Sequence, residues 1–492
     1  MTAVIEDVSF AFRRIAPSYL NAAIPAVFAL AVFVWLSWTQ AVLNDPDTFW
    51  HLKAGEWMIE HGAVPAADPF SHTFAGQPWT AHEWLSEVMM AAVERAAGWN
   101  GLMIATALAA AASFFILGRF AARSLSGVGL LLMLLVCCAL ASSHLLARPH
   151  ALVLPALCLW ATHLAGARAD HHAPPLWLCL VMLVWANMHG SFILGLGLIA
   201  PFALEALSAA SAENRRAVLK SWALFAIAAT AAATVTPHGL EGLIFPLKLM
   251  LMPGIEGINE WKPADFSTFG ALELALLFAL FAIMRFKVSV PLIRLVLLLG
   301  FLHLALKHQR HELVLGVFAV IILAEPMARA MAAEAGRALT IKAQPLSRAT
   351  IAGAVLAVAL AAMVRLGVGV PEINTVSTPR LALAATPPEL RLLPVLNNYD
   401  FGGFLISEGV RPFIDGRADL YGPAFLKRYF AIMGPDRAFL DAALDEYAIR
   451  WTLLHRQSAA ARAMDATPGW AVLYADDDFI VHFKVAAARG SE

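Results

Sequence analysis

The sequence predicts a polytopic, mainly α-helical membrane protein that ends in a small α/β domain. Three observations carry this prediction. Hydrophobic residues make up 60% of the 492 residues and charged residues only 14%, against about 25% charged in soluble domains. Apolar runs near the ~20 residues needed to cross a bilayer recur about eleven times. Lysine and arginine concentrate in alternate connections between those runs, as the positive-inside rule requires. The net charge of −1 leaves no basic excess to suggest nucleic acid as a partner. The four cysteines, Cys137, Cys138, Cys158 and Cys179, lie in apolar runs and form neither a CxxC motif nor a disulfide framework.

Taken in order, the runs centre near Leu30, Ala110, Leu135, Leu157, Met182, Leu198, Ala228, Leu277, Leu298, Val320 and Val358. The first lacks a small-residue cleavage site and reads as a retained span. The fifth and sixth are almost continuous, broken only at Asn187-Met188-His189-Gly190. With Arg13 and Arg14 inside, the inner connections carry Arg119 and Arg123, then Arg168, then Arg215, Arg216 and Lys220, then Arg285 and Lys287, and last Arg329, Arg337, Lys342 and Arg348. His171 and His172 also fall inside. This parity puts the N-terminus in the cytoplasm and the C-terminal residues outside, as in a bacterial-type inner membrane. Residues 1–370 then form the helical bundle, residues 43–100 its first outer loop, and residues 371–492 an extracytoplasmic domain.

The first outer loop is rich in tryptophan (Trp50, Trp57, Trp79, Trp84, Trp99), as expected of amphipathic helices in the headgroup layer. In the tail, strands are expected at Phe404–Ile406, Trp451–Leu454, Ala471–Tyr474 and Phe479–Phe483, with helices near 424–433 and 436–447. Asp476-Asp477-Asp478 reads as a hairpin turn.

The polar residues divide unevenly between the two sides. Inner connections are plainly basic and alanine-rich. Outer ones mix acid, histidine, arginine and tryptophan: Asp45, Asp47, His51, His82 and Glu83, then Arg148, His150, His189 and His238, then Glu260 and Asp265, and finally Lys307, His308, Arg310 and His311. Short connections of one bundle lie close together, so these residues are expected to converge on one outer cavity. Polar loops also meet water, which accounts for single residues but less well for the asymmetry. The span centres carry little charge, which disfavours a transporter.

The strongest motif is Asn44-Asp45-Pro46-Asp47-Thr48-Phe49-Trp50-His51, directly after the first span. Asp47 before an amphipathic run suits a helix N-cap. Two carboxylates at a partly desolvated span end also suit a general base or a metal-binding pair. Arg148 and His150, in Ala-Arg-Pro-His, and Lys307, His308, Arg310 and His311 suit a phosphate, or equally an anionic headgroup. In the tail, Phe413–Gly422 reads as a strand ending in a polar loop, where Asp415, Arg417, Asp419 and Tyr421 form a self-satisfied Asp–Arg loop or a grip on a sugar.

The stretch from Asp45 to about Trp99 resembles the first outer loop of the GT-C superfamily of membrane glycosyltransferases. An aspartate after the first span leads into an interfacial helix with Ala54 and Met58. Gly62, Val64-Pro65, Gly76-Gln77-Pro78-Trp79 and His82-Glu83-Trp84-Leu85 follow. It is similar to the aminoarabinose and Rgt-like lipid-sugar transferases, with Asp47 on their aspartate, Thr48 replacing their glutamate, and His82-Glu83 in place of their Lys-Pro-Pro segment. The Asp45-Pro46 step resembles that of oligosaccharyltransferase catalytic subunits. The resemblance implies a GT-C-like bundle that moves a hexosyl or pentosyl group from a polyprenyl-phosphate-linked donor to a glycan, lipid or protein acceptor. Transfer is expected on the periplasmic face, with inversion.

On that reading Asp45 or Asp47 is the base. His51, His82, Glu83, Arg148, His150, His189, His238, Lys307, His308, Arg310 and His311 contact substrate or lipid phosphate. Asp45, Asp47, Glu260 and Asp265 are the expected ligands should Mg or Mn take part. The rival reading is a non-catalytic scaffold or assembly factor for cell-envelope glycan synthesis that keeps the fold.

Overall fold

A computed structural model describes residues 18–169, 172–254, 257–336, 346–370 and 375–485. Arg13, Arg14, His171, Arg337 and Lys342, which helped to set the expected orientation, lie outside these ranges. Ten of the eleven expected run centres fall within a helix, and Leu198 sits at the junction of the helices Phe192–Gly197 and Ile199–Ala209. Among the described residues, six helices are long and apolar enough to cross a membrane: Trp84–Ala121, Gly127–His144, Phe192–Ala209, Arg215–Ala233, Gln309–Glu334 and Arg348–Leu366. Large apolar side chains such as Leu251, Met284 and Leu292 are exposed on the outside of the bundle, where lipid rather than water is the natural solvent.

The helix Ser18–Trp38 packs along Trp84–Ala121. Phe28 and Phe114 meet there with ring centroids 5.6 Å apart. The near-continuous fifth and sixth runs do break. The helix Leu178–Met188 ends at His189, which is extended, and helix resumes at Phe192. The chain folds back so tightly that a Cβ on Gly195 would lie 2.6 Å from the Trp185 ring.

The segment expected to be the first outer loop opens with the helix Asp47–His61, closed by Gly62 in the left-handed conformation (φ 62°), which costs glycine no Cβ clash. Asp47 is not its N-cap. Pro46 holds that position without a side-chain cap, and Asp45 Oδ1 accepts the Asp47 N–H at 2.8 Å. This helix crosses Trp84–Ala121 closely. A Cβ on Gly55 would lie 2.0 Å from the Glu87 carbonyl oxygen, so only glycine permits the approach. Gly98 (φ 59°, ψ −158°) kinks the longer helix between its outer part and its apolar part.

The C-terminal residues form a four-stranded sheet in the order β1-β2-β4-β3. Its strands are β1 (Val395–Asn397), β2 (Trp451–His455), β3 (Trp470–Ala475) and β4 (Phe479–Lys484). β1 pairs parallel with β2, and the other pairings are antiparallel. Asp476 Oδ1 accepts the backbone N–H groups of Asp478 and Phe479 at 2.9 and 2.7 Å, the side-chain-capped turn that Asp favours. Helices occupy Ala418–Ile432 and Arg437–Glu446, as expected.

Two expectations are corrected. Phe404–Ile406 is not a strand but part of the helix Gly402–Ser407. Its apolar run is buried by packing on the first outer loop, where Phe404 meets Phe49 at 5.8 Å. Phe413–Asp415, read as the end of a strand, is irregular. Its backbone is instead tied by Asn397, which accepts from the Phe413 N–H at 2.7 Å and donates to the Ile414 carbonyl at 2.9 Å. The parallel edge strand β1 was not anticipated, because three residues show no alternation.

Sheet and outer loop share one apolar core in which Trp50, Trp79, Phe413, Leu426 and Tyr429 are buried together. His72 Nε2 donates to the Val395 carbonyl at 2.9 Å and Thr73 to that of Phe413 at 2.6 Å. The C-terminal residues therefore form a wall over the first outer loop.

Candidate active site

Backbone contacts bring the two halves of the site together. The Ala147 N–H donates to the Val42 carbonyl at 2.8 Å, and Thr48 Oγ1 donates to the Ala147 carbonyl at 3.0 Å. These bonds fix the turn before Arg148 against the Asp45–Thr48 segment. Arg148 then lies among three carboxylates. Its Nη2 is 2.7 Å from Asp47, and its Nη1 is 3.3 Å from Asp45 and 2.9 Å from Glu260. Arg310 completes the row, 3.2 Å from Glu260 and with its guanidinium 4.3 Å from the Trp261 ring centroid.

Charge explains the behaviour of this group. Three carboxylates share Arg148 in a largely buried place. Burial raises the pKa of Asp45, more than Arg148 lowers it. Burial also raises Asp47, to about 7, with the neighbouring Asp45 and Glu260 adding to the rise. Burial works the same way on Glu260, but Arg148 and Arg310 together hold it down at about 2. Near neutral pH, Asp47 thus sits at the point of taking or losing a proton, while Glu260 stays charged.

A second group lies beside the first. His51 Nδ1 is 3.0 Å from Glu87 Oε1, and its Nε2 is 3.8 Å from Glu83. The Ser191 N–H donates to His189 Nδ1 at 3.0 Å, so the His189 proton is on Nε2, which faces Glu83 at 3.3 Å. Burial keeps His51 and His189 neutral, well below the usual histidine range. His150 is also neutral, pushed by burial and then Arg148 to about 3, and its Nε2 donates to the His144 carbonyl at 2.6 Å. Ligand atoms of His51, Glu83 and Glu87 lie within 4.8 Å of one another, a spacing that can hold a metal ion. Glu87 Oε2 is buried with no hydrogen-bond partner among the described residues.

These residues, with Glu87 buried behind them, surround a cavity of about 690 Å³. It gathers Asp45, Asp47, His51, His82, Glu83, Arg148, His150, His189, Glu260, Asp265 and Arg310 from the expected set. Asp265 stands at its rim, fully exposed, and accepts the Ser267 N–H at 2.8 Å. The cavity continues into an apolar annex of about 200 Å³ lined by Val153, Leu154, Leu157, Leu194, Phe301 and Leu313, with His311 at its edge.

Three expected contributors lie elsewhere. His238 donates to the Ala81 carbonyl at 3.2 Å, His308 donates to that of Trp261 at 2.6 Å, and Lys307 is exposed. The first two brace the loops that form the wall. In the tail, Arg417 is self-satisfied: it donates to both Asp415 oxygens at 2.8 and 2.7 Å and to Asp68 at 2.7 Å. Asp419 from the same loop does line the cavity.

His144, Glu87, Tyr399 and Asp400 were not singled out in the sequence. Glu83 and Glu87 stand one helical turn apart, a spacing that marks a shared face. Tyr399 and Asp400 follow β1 and carry no comparable signal. Gly416 presses the tail directly onto the paired aspartates, where an added Cβ would lie 1.8 Å from Asp47 Oδ1. Gly416→Ala is therefore expected to displace Asp47. With shifts near 1 Å costing about 100-fold, kcat/KM should fall by roughly that factor while the melting temperature changes little.

No protein-family profile matches this chain, and no curated protein matches it by sequence. Solved structures do. The archaeal oligosaccharyltransferase AglB from Archaeoglobus fulgidus, in complex with an inhibitory peptide and a dolichol-phosphate, superposes with a TM-score of 0.54 at 13% identity, covering 88% of this chain and 69% of that one. The same organism's enzyme in its apo form gives 0.51 at 13% identity, covering 89% and 70%. ArnT from Cupriavidus metallidurans bound to undecaprenyl phosphate gives 0.50 at 13% identity, covering 97% and 100%. At such identity the likeness is one of fold. The expected architecture is therefore present: this chain is a multi-pass membrane protein with the fold of the GT-C glycosyltransferases.

Proposed function

We propose that this protein is a glycosyltransferase that moves a sugar from a polyprenyl-phosphate-linked donor to an acceptor hydroxyl or amide on the non-cytoplasmic face, with inversion. The observation that carries this reading is the continuity of the cavity. Paired aspartates and cationic groups share one chamber, and that chamber opens into an apolar slot. A lipid phosphate needs both environments at once. AglB and ArnT, whose structures hold dolichol-phosphate and undecaprenyl phosphate, support the choice of donor.

In this mechanism Asp47 accepts the acceptor's proton as its oxygen or nitrogen attacks the anomeric carbon. The bond from that carbon to the phosphate oxygen breaks on the opposite side, and the phosphate leaves with the electron pair. Arg310 stabilises the departing phosphate, while His150, whose Nε2 proton goes to the His144 carbonyl, only lines the chamber beside it. Arg148 has a different task. Its charge is committed to Asp45, Asp47 and Glu260, so it sets the position and proton affinity of the base. Residues 375–485, packed on the Asp47–Trp84 segment through one shared core, act as the outer cover of the chamber, with Asp419 in its wall.

A divalent cation such as Mg or Mn fits His51, Glu83 and Glu87 better than the aspartates, whose oxygens already face Arg148. Bound there, it would supply fixed positive charge at the chamber floor. Elemental analysis of the purified protein should then show metal that Glu87→Gln loses.

The pH dependence tests the base. Asp47 is raised to about 7, so below that pH it is protonated and cannot accept a proton. Donor consumption should rise about tenfold per unit up to neutrality and level off above it. A flat profile between pH 5 and 8 would remove Asp47 from this role.

A further inference from the structure

A second polar chamber, of about 1000 Å³, lies at the other end of the bundle. Arg294 begins the helix Leu292–Lys307 and Arg310 follows its end. The helix from Arg294 to Lys307 alone spans about 20 Å at ~1.5 Å per residue, so this chamber is remote from the site described above.

Its walls are the ends of helices. Arg168 closes Leu154–Ala169, Glu205 lies near the end of Ile199–Ala209, and Glu325 and Arg329 lie on Glu312–Glu334. Lys287 follows Ala271–Phe286 in the left-handed conformation, φ 52°. Glu205 Oε1 receives both Arg168 at 2.6 Å and Arg294 at 2.9 Å, and Arg294 reaches Glu325 at 3.4 Å. Arg329 also pairs with Glu325. Arg294 is buried.

Two features separate this cluster from a plain ion-pair lock. Four cations face two carboxylates, which leaves a surplus of two positive charges. Lys287 has no ion-pair partner among the described residues. Glu205 Oε2 is buried and also unpartnered among them. The chamber thus offers spare positive charge together with one spare hydrogen-bond acceptor. On the lipid side its lining is apolar, with Leu292 and Ile293 beside Pro326 and Ala330.

We propose that this chamber binds a phosphate head group that also carries a hydroxyl or ammonium donor. The phosphate meets Arg294, Arg329 and Lys287, and the donor meets Glu205. Basic pockets between helix ends select lipid head groups in this way. The apolar wall favours a lipid as the source, while a soluble phosphate ester has the same chemistry.

The test uses the full-length protein in nanodiscs, with bound lipid counted by native mass spectrometry. Phosphatidylglycerol supplies phosphate and donor; phosphatidylcholine supplies phosphate without a donor. Phosphatidylglycerol should be retained at least tenfold more tightly. Lys287→Gln with Arg329→Gln cancels the surplus at two solvent-facing positions, leaves Arg294 on both glutamates, and should erase that preference. Equal retention of the two lipids, or an unchanged preference in the double variant, would overturn the proposal. Soluble glycerol phosphate, added to protein in phosphatidylcholine, reads the source. Thermal protection equal to that of the lipid, lost in the double variant, supports the phosphate site with a soluble ligand. No protection, with lipid retention intact, supports the lipid.

Discussion

Replacing Asp47 by Asn is expected to lower turnover by about 10²- to 10⁴-fold, the usual contribution of a positioned base. The amide keeps the shape of the carboxylate but cannot take a proton. Folding should survive. The substitution removes one of three negative charges around Arg148 and leaves Asp45 and Glu260 to pair with it. The position is also one where the protein tolerates neutrality, because burial already raises Asp47 to about 7. The melting temperature of the variant should therefore stay close to that of the parent, or rise slightly at high pH. Asp45→Asn is expected to behave differently. Asp45 accepts the Asp47 N–H at the start of the helix, a bond that the Asn amide oxygen keeps, so its amide variant should retain more activity at a similar melting temperature. Measuring turnover and melting temperature for both variants separates the two aspartates. Equal, small losses of turnover would mean that neither is the base.

The largest effect on stability is expected at Arg417. Its side chain is completely enclosed, and it binds Asp415 from its own loop and Asp68 from the first outer loop. It also lies over the rings of Trp79 and Phe70, at 4.8 and 5.2 Å. Removing one partner of a buried ion pair costs about 3–5 kcal/mol, because the remaining charge stays desolvated. Arg417→Ala strands two carboxylates at once, so it should reach at least the upper end of that range. The damage should be local. Arg417 joins the C-terminal residues to the first outer loop, so proteolysis should release a fragment near residues 375–485 while the apolar helices persist. An unchanged melting curve with an intact tail would contradict this account.

The fold was legible in the sequence where one strong force acts alone. Apolar runs marked the helices because lipid leaves a spanning segment no other way to satisfy its backbone. The break at Asn187–Gly190 was readable for the same reason. Reading failed where a short segment takes its structure from its neighbours. Phe404–Ile406 is apolar enough for a strand, yet it is helical because it packs under Phe49. β1 is too short to show any period.

The site was partly legible in the same sense. Convergence of loops at one end of the bundle brought together Asp45, Asp47, Arg148, Glu260 and Arg310, which lie far apart in sequence. Chain order could not reveal that Arg148 faces the carboxylates while Arg310 is the freer cation. Nor could it show that His238 and His308 are spent on backbone carbonyls, since a histidine's partner depends on packing. The tight approach of Gly416 to Asp47, with no room for a Cβ between them, joins residues far apart in the chain. Nothing local to either one announces it.

The central claim is that the paired aspartates and the apolar annex serve one reaction on a polyprenyl-phosphate sugar. Its most direct test is release of free polyprenyl phosphate from extracted lipid-linked sugars, followed by mass spectrometry. The purified protein should release it, and the Asp47→Asn variant should release at least a hundredfold less. Equal release by both, or none by the parent in the presence of its membrane lipids and acceptors, would contradict the account.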